Sequence, residues 1–237
     1  MTPSPWPIYF RGMRDGAPFL LVIVPFAVLF GVVGTEAGLN LAEVMGFSLL
    51  VIAGASQFAA LQLMSDNAPT LIVLATALAV NLRMAMYSAS LTPYLGGAPM
   101  WMRAVMAYLL VDQSYAVSIT RFETDPEMTL KQRCAYFFGV VTPVCPVWYA
   151  MTLAGALAGQ RIPPEYALDF ALPITFLAIV APALRTMAHM AAAAVSVALS
   201  LLLAFVPYNG GLMLAAVAAM MTGARIELSL RRSGRWT

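Results

Sequence analysis

The sequence predicts an all-α integral membrane protein with about eight transmembrane helices, several of them broken by proline, and both termini in the cytoplasm. Of its 237 residues, 61% are hydrophobic and only 10% are charged, whereas soluble domains carry about 25% charged residues. Such a composition cannot cover a water-facing surface, and helices satisfy the backbone of an apolar chain in lipid. A net charge of +2 without a basic tract argues against a nucleic-acid partner.

Uncharged runs define the predicted spans, because a bilayer core of about 30 Å takes roughly 20 helical residues. Residues 17–34 and 135–159 contain no charged side chain. The run 190–224 is too long for one span and contains a Pro-Tyr-Asn-Gly-Gly turn signal at 207–211, so it is split into two helices. Further spans are predicted at 42–64, 68–93, 101–120 and 167–185, all within one polytopic domain, 1–237.

The basic residues predict the orientation, because cytoplasmic loops are enriched in Arg and Lys. With eight spans and a cytoplasmic N-terminus, only Arg103 and Arg161 lie outside, and Arg83 lies within a span. Seven spans would place the four C-terminal arginines outside, against this rule. A short first hairpin or a re-entrant segment is the alternative that would change the count. The predicted cytoplasmic set is Arg11, Arg14, Arg121, Lys131, Arg133, Arg185, Arg225, Arg231, Arg232 and Arg235.

Prolines, glycines and cysteines inside the predicted helices carry less information. Each proline frees a carbonyl that a neighbouring group must satisfy, and broken helices at membrane depth often form substrate sites. An internal repeat that aligns Gly16 with Gly139 rests on matches that arise by chance in so apolar a sequence. Cys134 and Cys145 lie too far apart along one helix for a disulfide, and no metal or cofactor is expected. The proline pairs are Pro18/Pro25, Pro143/Pro146 and Pro173/Pro182.

Polar groups within the membrane are costly unless they are paired or hydrated, so they are the candidates for chemistry. In the second span, Ser56 and Gln57 offer hydrogen-bond donors and acceptors among small residues that allow close backbone approach. Both a helix-packing seam and a ligand site fit this pattern.

The third span contains one arginine, Arg83, among uncharged residues. On a continuous helix Arg83 and Tyr87 share a face with Ser90, while Asn81 and Ser88 share a different face. A guanidinium fork suits a carboxylate ligand. Snorkelling of the arginine toward the outer interface is the structural alternative.

The fourth span contains Asp112, Gln113 and Tyr115. Eight uncharged residues separate Asp112 from Arg103 and eight more separate it from Arg121, which predicts a position near mid-membrane. A buried carboxylate pairs with a cation, for which Arg83 is the candidate, or it is protonated. A purely structural ion pair and a site for a substrate amine or a proton both remain open.

Three motifs in this order resemble the AzlC family of branched-chain amino-acid permeases. They are AGASQFAAL at 53–61, VNLRMAMYSASL at 80–91 and DQSYA at 112–116, and LDFALP at 168–173 supports them. The resemblance covers essentially the whole chain. The sequence departs from the family pattern at 111–113, where Val-Asp-Gln stands in place of the usual Thr-Asp-Glu, so the second carboxylate of that triplet is missing.

The resemblance implies a multi-pass exporter of branched-chain amino acids in the bacterial inner (plasma) membrane, without enzymatic activity. Its substrates would be valine, leucine and isoleucine, with methionine as a further candidate. It also implies a small, separately encoded membrane partner of the AzlD type, and it leaves a homo-oligomer open.

These observations combine into one hypothesis about an amino-acid zwitterion, which needs a cation, an acid and an apolar pocket. Arg83 and Asn81 face the carboxylate, and Asp112 faces the amine together with Ser56 and Gln57. The side-chain pocket is lined by Phe58, Tyr87, Tyr115 and some methionines, and Ser88 and Gln113 complete the candidate substrate-binding set.

Other function classes need different features. A transporter of another small amphiphilic solute would use the same polar groups. A channel or an assembly subunit would lack saturable transport, and channels usually show a ring-forming charge or carbonyl signature. An intramembrane hydrolase would need a base beside Ser56, but the one histidine of the chain, His189, falls in another predicted helix.

Overall fold

The structure, a computed structural model, describes residues 6–161, 184, 186–206 and 210–232, and all regular elements in these residues are helical. This confirms the all-α membrane fold. The candidate spans among them are Trp6–Glu36, Thr70–Leu95, Leu130–Gly159 and Gly210–Leu230. The helices are α1 (Trp6–Gly16), α2 (Leu20–Glu36), α3 (Leu41–Val51), α4 (Gly54–Ser65), α5 (Thr70–Leu95), α6 (Met100–Tyr108), α7 (Asp112–Thr124), α8 (Leu130–Gly159), α9 (Met187–Leu202) and α10 (Gly210–Arg232), with a 3-10 turn at Ala17–Phe19 between α1 and α2.

The chain divides into two compact units, Met1–Ala167 and Leu168–Thr237. In the first unit, α1 and α2 together run alongside α8 in the same direction. Their backbones touch where glycines face each other, Gly12 against Gly139 and Gly31 against Gly155. Small residues at such crossings allow close packing between helices in a membrane. Because the helices run in the same direction, the chain between the end of α2 and the start of α8 must return to the end of the unit at which α1 begins.

Two hydrogen bonds across this helix pair mirror each other. The Tyr136 hydroxyl donates to Asp15 Oδ2 at 2.6 Å, and the Tyr9 hydroxyl lies 2.8 Å from Thr142 Oγ1. An offset of 127 residues maps Tyr9 onto Tyr136 and Asp15 onto Thr142, and it also maps Gly12 onto Gly139. The pair formed by α1 and α8 is therefore locally two-fold symmetric. Its offset of 127 residues differs from that of the repeat considered from the sequence, which aligns Gly16 with Gly139.

The predicted span at 42–64 is a helical hairpin formed by α3 and α4. Phe47 of α3 packs on Phe30 of α2, with ring centroids 5.8 Å apart. The backbone then reverses at Ile52, which adopts a left-handed conformation with φ 37°. On the way back, Gln57 Nε2 donates to Ser48 Oγ at 3.1 Å. Because α3 has 11 residues, it is only about 16 Å long. The open side of the hairpin, where α3 begins and α4 ends, faces the end of the unit at which α2 ends.

The predicted span at 101–120 is a second hairpin, formed by α6 and α7, which opens toward the opposite end. Helix α5 brings the chain there, where the Tyr94 ring lies 5.6 Å from the Phe122 ring of α7. Helix α6, with 9 residues, runs back across a cavity that it lines together with α5, and α7 returns beside α5 in the direction of α5. The tips of the two hairpins meet: the Tyr108 hydroxyl donates to the Leu49 carbonyl at 2.6 Å.

The two hairpins change the predicted topology, because neither runs from one end of the unit to the other. Arg103 therefore lies at the end where α1 and α8 begin and not at the far end with Arg161. We call the end where α1 and α8 begin the basic end. The positive-inside rule predicts that this end faces the cytoplasm. The basic end carries Arg11, Arg14, Arg103, Arg121, Lys131 and Arg133 with the carboxylates Asp15, Glu123, Asp125 and Glu127, whereas the far end carries Glu36, Glu43 and Asp66 with a single basic residue, Arg161.

Of the prolines predicted to break helices, Pro18 lies at an interruption, the 3-10 turn Ala17–Phe19 inside the span Trp6–Glu36, whereas the other described ones do not break their helices. Helix α2 continues through Pro25, and α8 continues through Pro143 and Pro146. A proline removes a single bond of the helical ladder, and the close packing of α8 against α1 and α2 keeps it continuous. Two further breaks, at 52–53 and 109–111, lie in segments without proline. Pro173 and Pro182 are outside the described residues.

In the second unit, α9 and α10 form an antiparallel pair in which Gly223 lies against Ala188 and Ala192. This confirms the prediction that the run 190–224 divides into two helices. The predicted span at 167–185 lies outside the described residues, apart from Leu184. In the first unit Cys134 and Cys145 are both free and buried, as predicted.

Candidate functional site

Helix α5 carries a row of polar side chains that meets α7. Arg83 is in the middle of the 26 residues of α5, so about 20 Å of helix lies on each side of it. Its Nη1 lies 3.3 Å from Asp112 Oδ2. Ser90, two turns further along the same face, has its Oγ 3.2 Å from the Tyr115 hydroxyl. The shared face that the spacing predicts is thus the face that contacts α7.

The hairpin tip positions Asp112. Val111 is extended, with φ −129° and ψ 166°, and α7 begins at the next residue. The Ser114 hydroxyl accepts a hydrogen bond from the Val111 backbone nitrogen at 2.9 Å, which caps the first turn of the helix. Asp112 therefore sits at a helix N-terminus, where the helix dipole favours negative charge.

The ion pair between Arg83 and Asp112 is loose and partly open. Charge-assisted hydrogen bonds are usually 2.7–2.9 Å long and often bidentate, whereas this pair has a single contact of 3.3 Å. The side chains are 28% and 43% exposed, respectively. Within the described part of the chain, Arg83 Nε and Asp112 Oδ1 are buried atoms without a hydrogen-bond partner. Each member of the pair retains hydrogen-bonding capacity.

Two tyrosines form a flat wall beside the ion pair. The rings of Tyr87 and Tyr115 are stacked, with centroids 4.2 Å apart and an interplanar angle of 9°. The Tyr87 phenol also interacts with the Asp112 carboxylate. Both rings are half-buried, so they present apolar surface next to a cation and an anion.

The hydrogen bonds of Ser56 and Gln57 go to the first hairpin and not to this group. Both are fully buried, and the Ser56 hydroxyl donates to the Ala53 carbonyl at 2.9 Å. Gln57 holds α3 to α4 through Ser48. Phe58 is buried between the rings of Phe26 and Phe30. The first motif therefore builds the tip of the first hairpin.

The remaining candidates lie around the ion pair in different settings. Asn81 is half-buried, and within the described residues its Oδ1 has no hydrogen-bond partner. Gln113 is half-buried beside Asp112. Ser88 is exposed and lines a separate cavity of about 270 Å³ together with Arg103. Gln113 can thus extend a site at Asp112, whereas Asn81 lies on the face of α5 that it shares with Ser88, and Ser88 lines a neighbouring cavity.

Sequence reasoning missed two residues at the junction of the hairpins. Tyr108 contacts both Leu49 and Tyr149, and the two tyrosine hydroxyls lie 2.9 Å apart. A signal existed, because Tyr108 precedes Asp112 by one helical turn and carries the only hydroxyl between Arg103 and Asp112. Nothing in the sequence joins it to Tyr149, since the contact depends on the reversal of both hairpins.

Comparison with known proteins gives a family match. The family model described as AzlC protein matches residues 18–162, which contain both hairpins and the three helices around them. Inner membrane protein YgaZ of Escherichia coli is 25% identical over 185 residues, covering 74% of this chain and 74% of that protein.

A second similar protein comes from an archaeon. An uncharacterized membrane protein of Archaeoglobus fulgidus is 28% identical over 179 residues, covering 74% of this chain and 75% of that protein. No solved structure matches.

Proposed function

Because the chain belongs to the AzlC family, we propose that it exports branched-chain amino acids across the bacterial inner membrane. The substrates of this proposal are valine, leucine and isoleucine, with methionine as a further one. The chain acts as a carrier and not as an enzyme. A small membrane protein of the AzlD type works with it.

One observation carries the proposal: the loose Arg83–Asp112 pair in the middle of the membrane helices. A salt bridge that serves packing alone gains most from a short bidentate geometry, and here the contact is single and 3.3 Å long. The buried Arg83 Nε is a donor and the buried Asp112 Oδ1 is an acceptor, and neither has a partner among the described residues. A zwitterion supplies a carboxylate for the donor and an ammonium for the acceptor.

The surroundings of the pair support an amino acid with an apolar side chain. The stacked rings of Tyr87 and Tyr115 offer a flat apolar surface, and such walls bind aliphatic groups by excluding water. Asn81, two residues before Arg83 on another face of α5, carries a further buried acceptor. In the proposed roles, Arg83 and Gln113 hold the carboxylate, and Asp112 with Asn81 holds the amine.

These roles revise the hypothesis from the sequence in two respects. Ser56 leaves the ligand set, because its hydroxyl bonds within the first hairpin, and Gln57 keeps only its Oε1, which is buried and has no hydrogen-bond partner among the described residues. Asn81 moves from the carboxylate to the amine, because its free atom is an acceptor. The fully buried Ser56 hydroxyl also makes a poor nucleophile, which disfavours the hydrolase alternative.

Counterflow of labelled leucine, valine, isoleucine and methionine in proteoliposomes tests the proposal, with and without the small partner. Saturable exchange is expected for the native chain, because a carrier saturates and an open channel hardly does. Arg83→Ala and Asp112→Asn should each abolish exchange while the protein stays in the membrane. Asp66→Asn, at an exposed carboxylate beyond α4, is the matched control and should exchange normally.

The outcomes separate the site from the substrate. Normal exchange by Arg83→Ala and Asp112→Asn would overturn the proposed site. An inactive native chain, even with the partner present, would overturn the branched-chain substrates. Flux without saturation would favour a channel.

A further inference from the structure

A second cavity, of about 420 Å³, lies at the basic end between α1, α7 and α8. Its lining includes two opposite charges, the carboxylate of Asp15 and the guanidinium of Arg121. Phe19 and Val117 add apolar surface, and Tyr136 adds a hydroxyl. The cavity thus combines an anion, a cation and an apolar wall, as the Arg83–Asp112 site does.

The symmetry of the helix pair indicates that the charge of Asp15 is not needed for packing. Tyr136 donates to Asp15 at 2.6 Å, and at the equivalent place Tyr9 bonds the neutral hydroxyl of Thr142 at 2.8 Å. A neutral oxygen therefore suffices to join the two helices. Asp15 forms no salt bridge within the described part of the chain, so its charge is available to a cationic ligand in the cavity.

Arg121 has donor capacity left on the other side of the cavity. Its Nη2 lies 2.7 Å from Oδ2 of Asp125, which follows Arg121 by four residues, or about one helical turn. Its Nε is buried and has no hydrogen-bond partner among the described residues. A guanidinium can bind a second carboxylate through the remaining edge of its fork.

Helix α7 connects this cavity with the Arg83–Asp112 pair. Ala116 and Thr120 line the cavity, and they follow Asp112 at intervals of one helical turn. Residues spaced by four share a face of a helix, and eight residues cover about 12 Å. A small solute at Thr120 would therefore be about two turns from Asp112 along one side of α7.

We infer that this cavity is a second binding site for the same zwitterionic amino acids, on the cytoplasmic side of the Arg83–Asp112 site. Asp15 binds the ammonium group, Arg121 binds the carboxylate, and Phe19 with Val117 contacts the aliphatic side chain. This inference rests on the proposed function. The site loads substrate from the cytoplasm and passes it along α7 toward Asp112.

Sided transport kinetics test the inference, with leucine as the probe. Initial rates are measured in inside-out vesicles and in right-side-out vesicles for the native chain and for Asp15→Asn. Asparagine keeps an oxygen for the Tyr136 hydroxyl and removes the charge. Glu123→Gln, an exposed carboxylate of α7 outside the cavity, is the matched control.

We expect Asp15→Asn to raise the half-saturating leucine concentration on the cytoplasmic face about tenfold, as for loss of one charge-assisted hydrogen bond. The value on the external face should stay within about twofold of the native one. 3-Methylbutylamine, which has the amine of leucine without its carboxylate, should inhibit Asp15→Asn less than the native chain. 4-Methylpentanoate, which has only the carboxylate, should inhibit both equally.

Three results would overturn the inference while the proposed function stands. The first is an unchanged half-saturating leucine concentration on the cytoplasmic face of Asp15→Asn. The second is an equal rise of that concentration on both faces, and the third is a rise of the same size in Glu123→Gln. Asp15→Thr, which copies Thr142, guards against misfolding, because it should repeat the sided effect if the charge is what matters. Failure of the proposed function differs from all of these, since the native chain would then show no saturable leucine exchange.

Discussion

The Tyr108 hydroxyl, at the end of α6, donates a 2.6 Å hydrogen bond to the carbonyl of Leu49, near the end of α3. This contact joins the tips of two helical hairpins that open toward opposite ends of the first unit. Tyr149 of α8 completes the junction, with its hydroxyl 2.9 Å from that of Tyr108. The junction therefore places the start of α7, and Asp112 with it, at the level of the middle of α5. Neither α6 nor α7 crosses from one end of the unit to the other.

Removing the Tyr108 hydroxyl should loosen the junction. Tyr108→Phe loses the bonds to Leu49 and Tyr149, and hydrogen bonds between membrane helices average about 0.6 kcal/mol each. We expect a fall of about 1 kcal/mol in unfolding free energy, measured as a lower apparent Tm in detergent. Tyr149→Phe loses one of the two bonds and should lower the Tm by less. A larger effect of Tyr149→Phe would contradict this account of the junction.

The close contact of α2 with α8 should tolerate no added methyl group. A Cβ on Gly31 would lie 2.5 Å from the Ala156 nitrogen and 2.8 Å from the Gly155 carbonyl carbon, so the helices must separate. Overpacking of this kind costs about 1–3 kcal/mol, and we expect Gly31→Ala to lower the yield of folded protein on size-exclusion chromatography.

Gly46→Ala is the matched control for this contact. Gly46 is also helical, and among the described residues no atom beyond its chain neighbours and the adjacent backbone of its own helix lies within 4 Å of an added Cβ, so alanine should match or exceed the native yield because of its higher helix propensity. Equal losses for both variants would show that the yield reports something other than helix packing.

The stacked tyrosines should contribute to substrate affinity through their rings. Tyr115→Ala removes a stacked pair worth about 0.5–1.5 kcal/mol, and we expect the KM for leucine to rise about fivefold. Tyr115→Phe keeps the stack and loses only the bond to Ser90, so its KM should stay near the native value. If phenylalanine raised KM as much as alanine, the hydroxyl and not the ring would be the important group.

Exchanging the two charges separates a structural ion pair from a binding site. The double variant Arg83→Asp with Asp112→Arg can rebuild the pair, so folded yield should recover relative to either single variant. Leucine exchange should remain absent, because the carboxylate and the amine of the substrate would meet the wrong partners. Recovery of exchange with recovery of yield would assign the pair to packing alone.

The polar residues that meet on α5 and α7 could be predicted from the sequence, but the path of the chain could not. Spacing placed Arg83 and Tyr87 on one helix face, and the cost of burying a charge suggested Asp112 as the partner of Arg83. The direct contact in the structure agrees with both steps. These are local periodicity and pairwise electrostatics, which a sequence records.

The sequence left a short hairpin or a re-entrant segment open, but it did not locate the two hairpins, because their signals are weak. The reversal at Ile52 has no proline or glycine at its turning residue, and the uncharged runs around it are as long as those of crossing helices. The role of Gln57 follows from that reversal, since its bond to Ser48 forms only after the chain has turned back. A pattern of hydropathy gives the length of an apolar segment but not its direction.

The topology can be measured by sided labelling of single cysteines in a chain whose Cys134 and Cys145 are replaced by alanine. A membrane-impermeant maleimide is applied to right-side-out and inside-out vesicles of Asp66→Cys, Gly97→Cys and Glu127→Cys. Because the site at Asp112 depends on two hairpins that open in opposite directions, we expect Gly97→Cys to label from the same side as Glu127→Cys, and Asp66→Cys from the other side. Labelling of Asp66→Cys on the side of Glu127→Cys, with Gly97→Cys on the opposite side, would mean that both segments cross the membrane and would contradict the account.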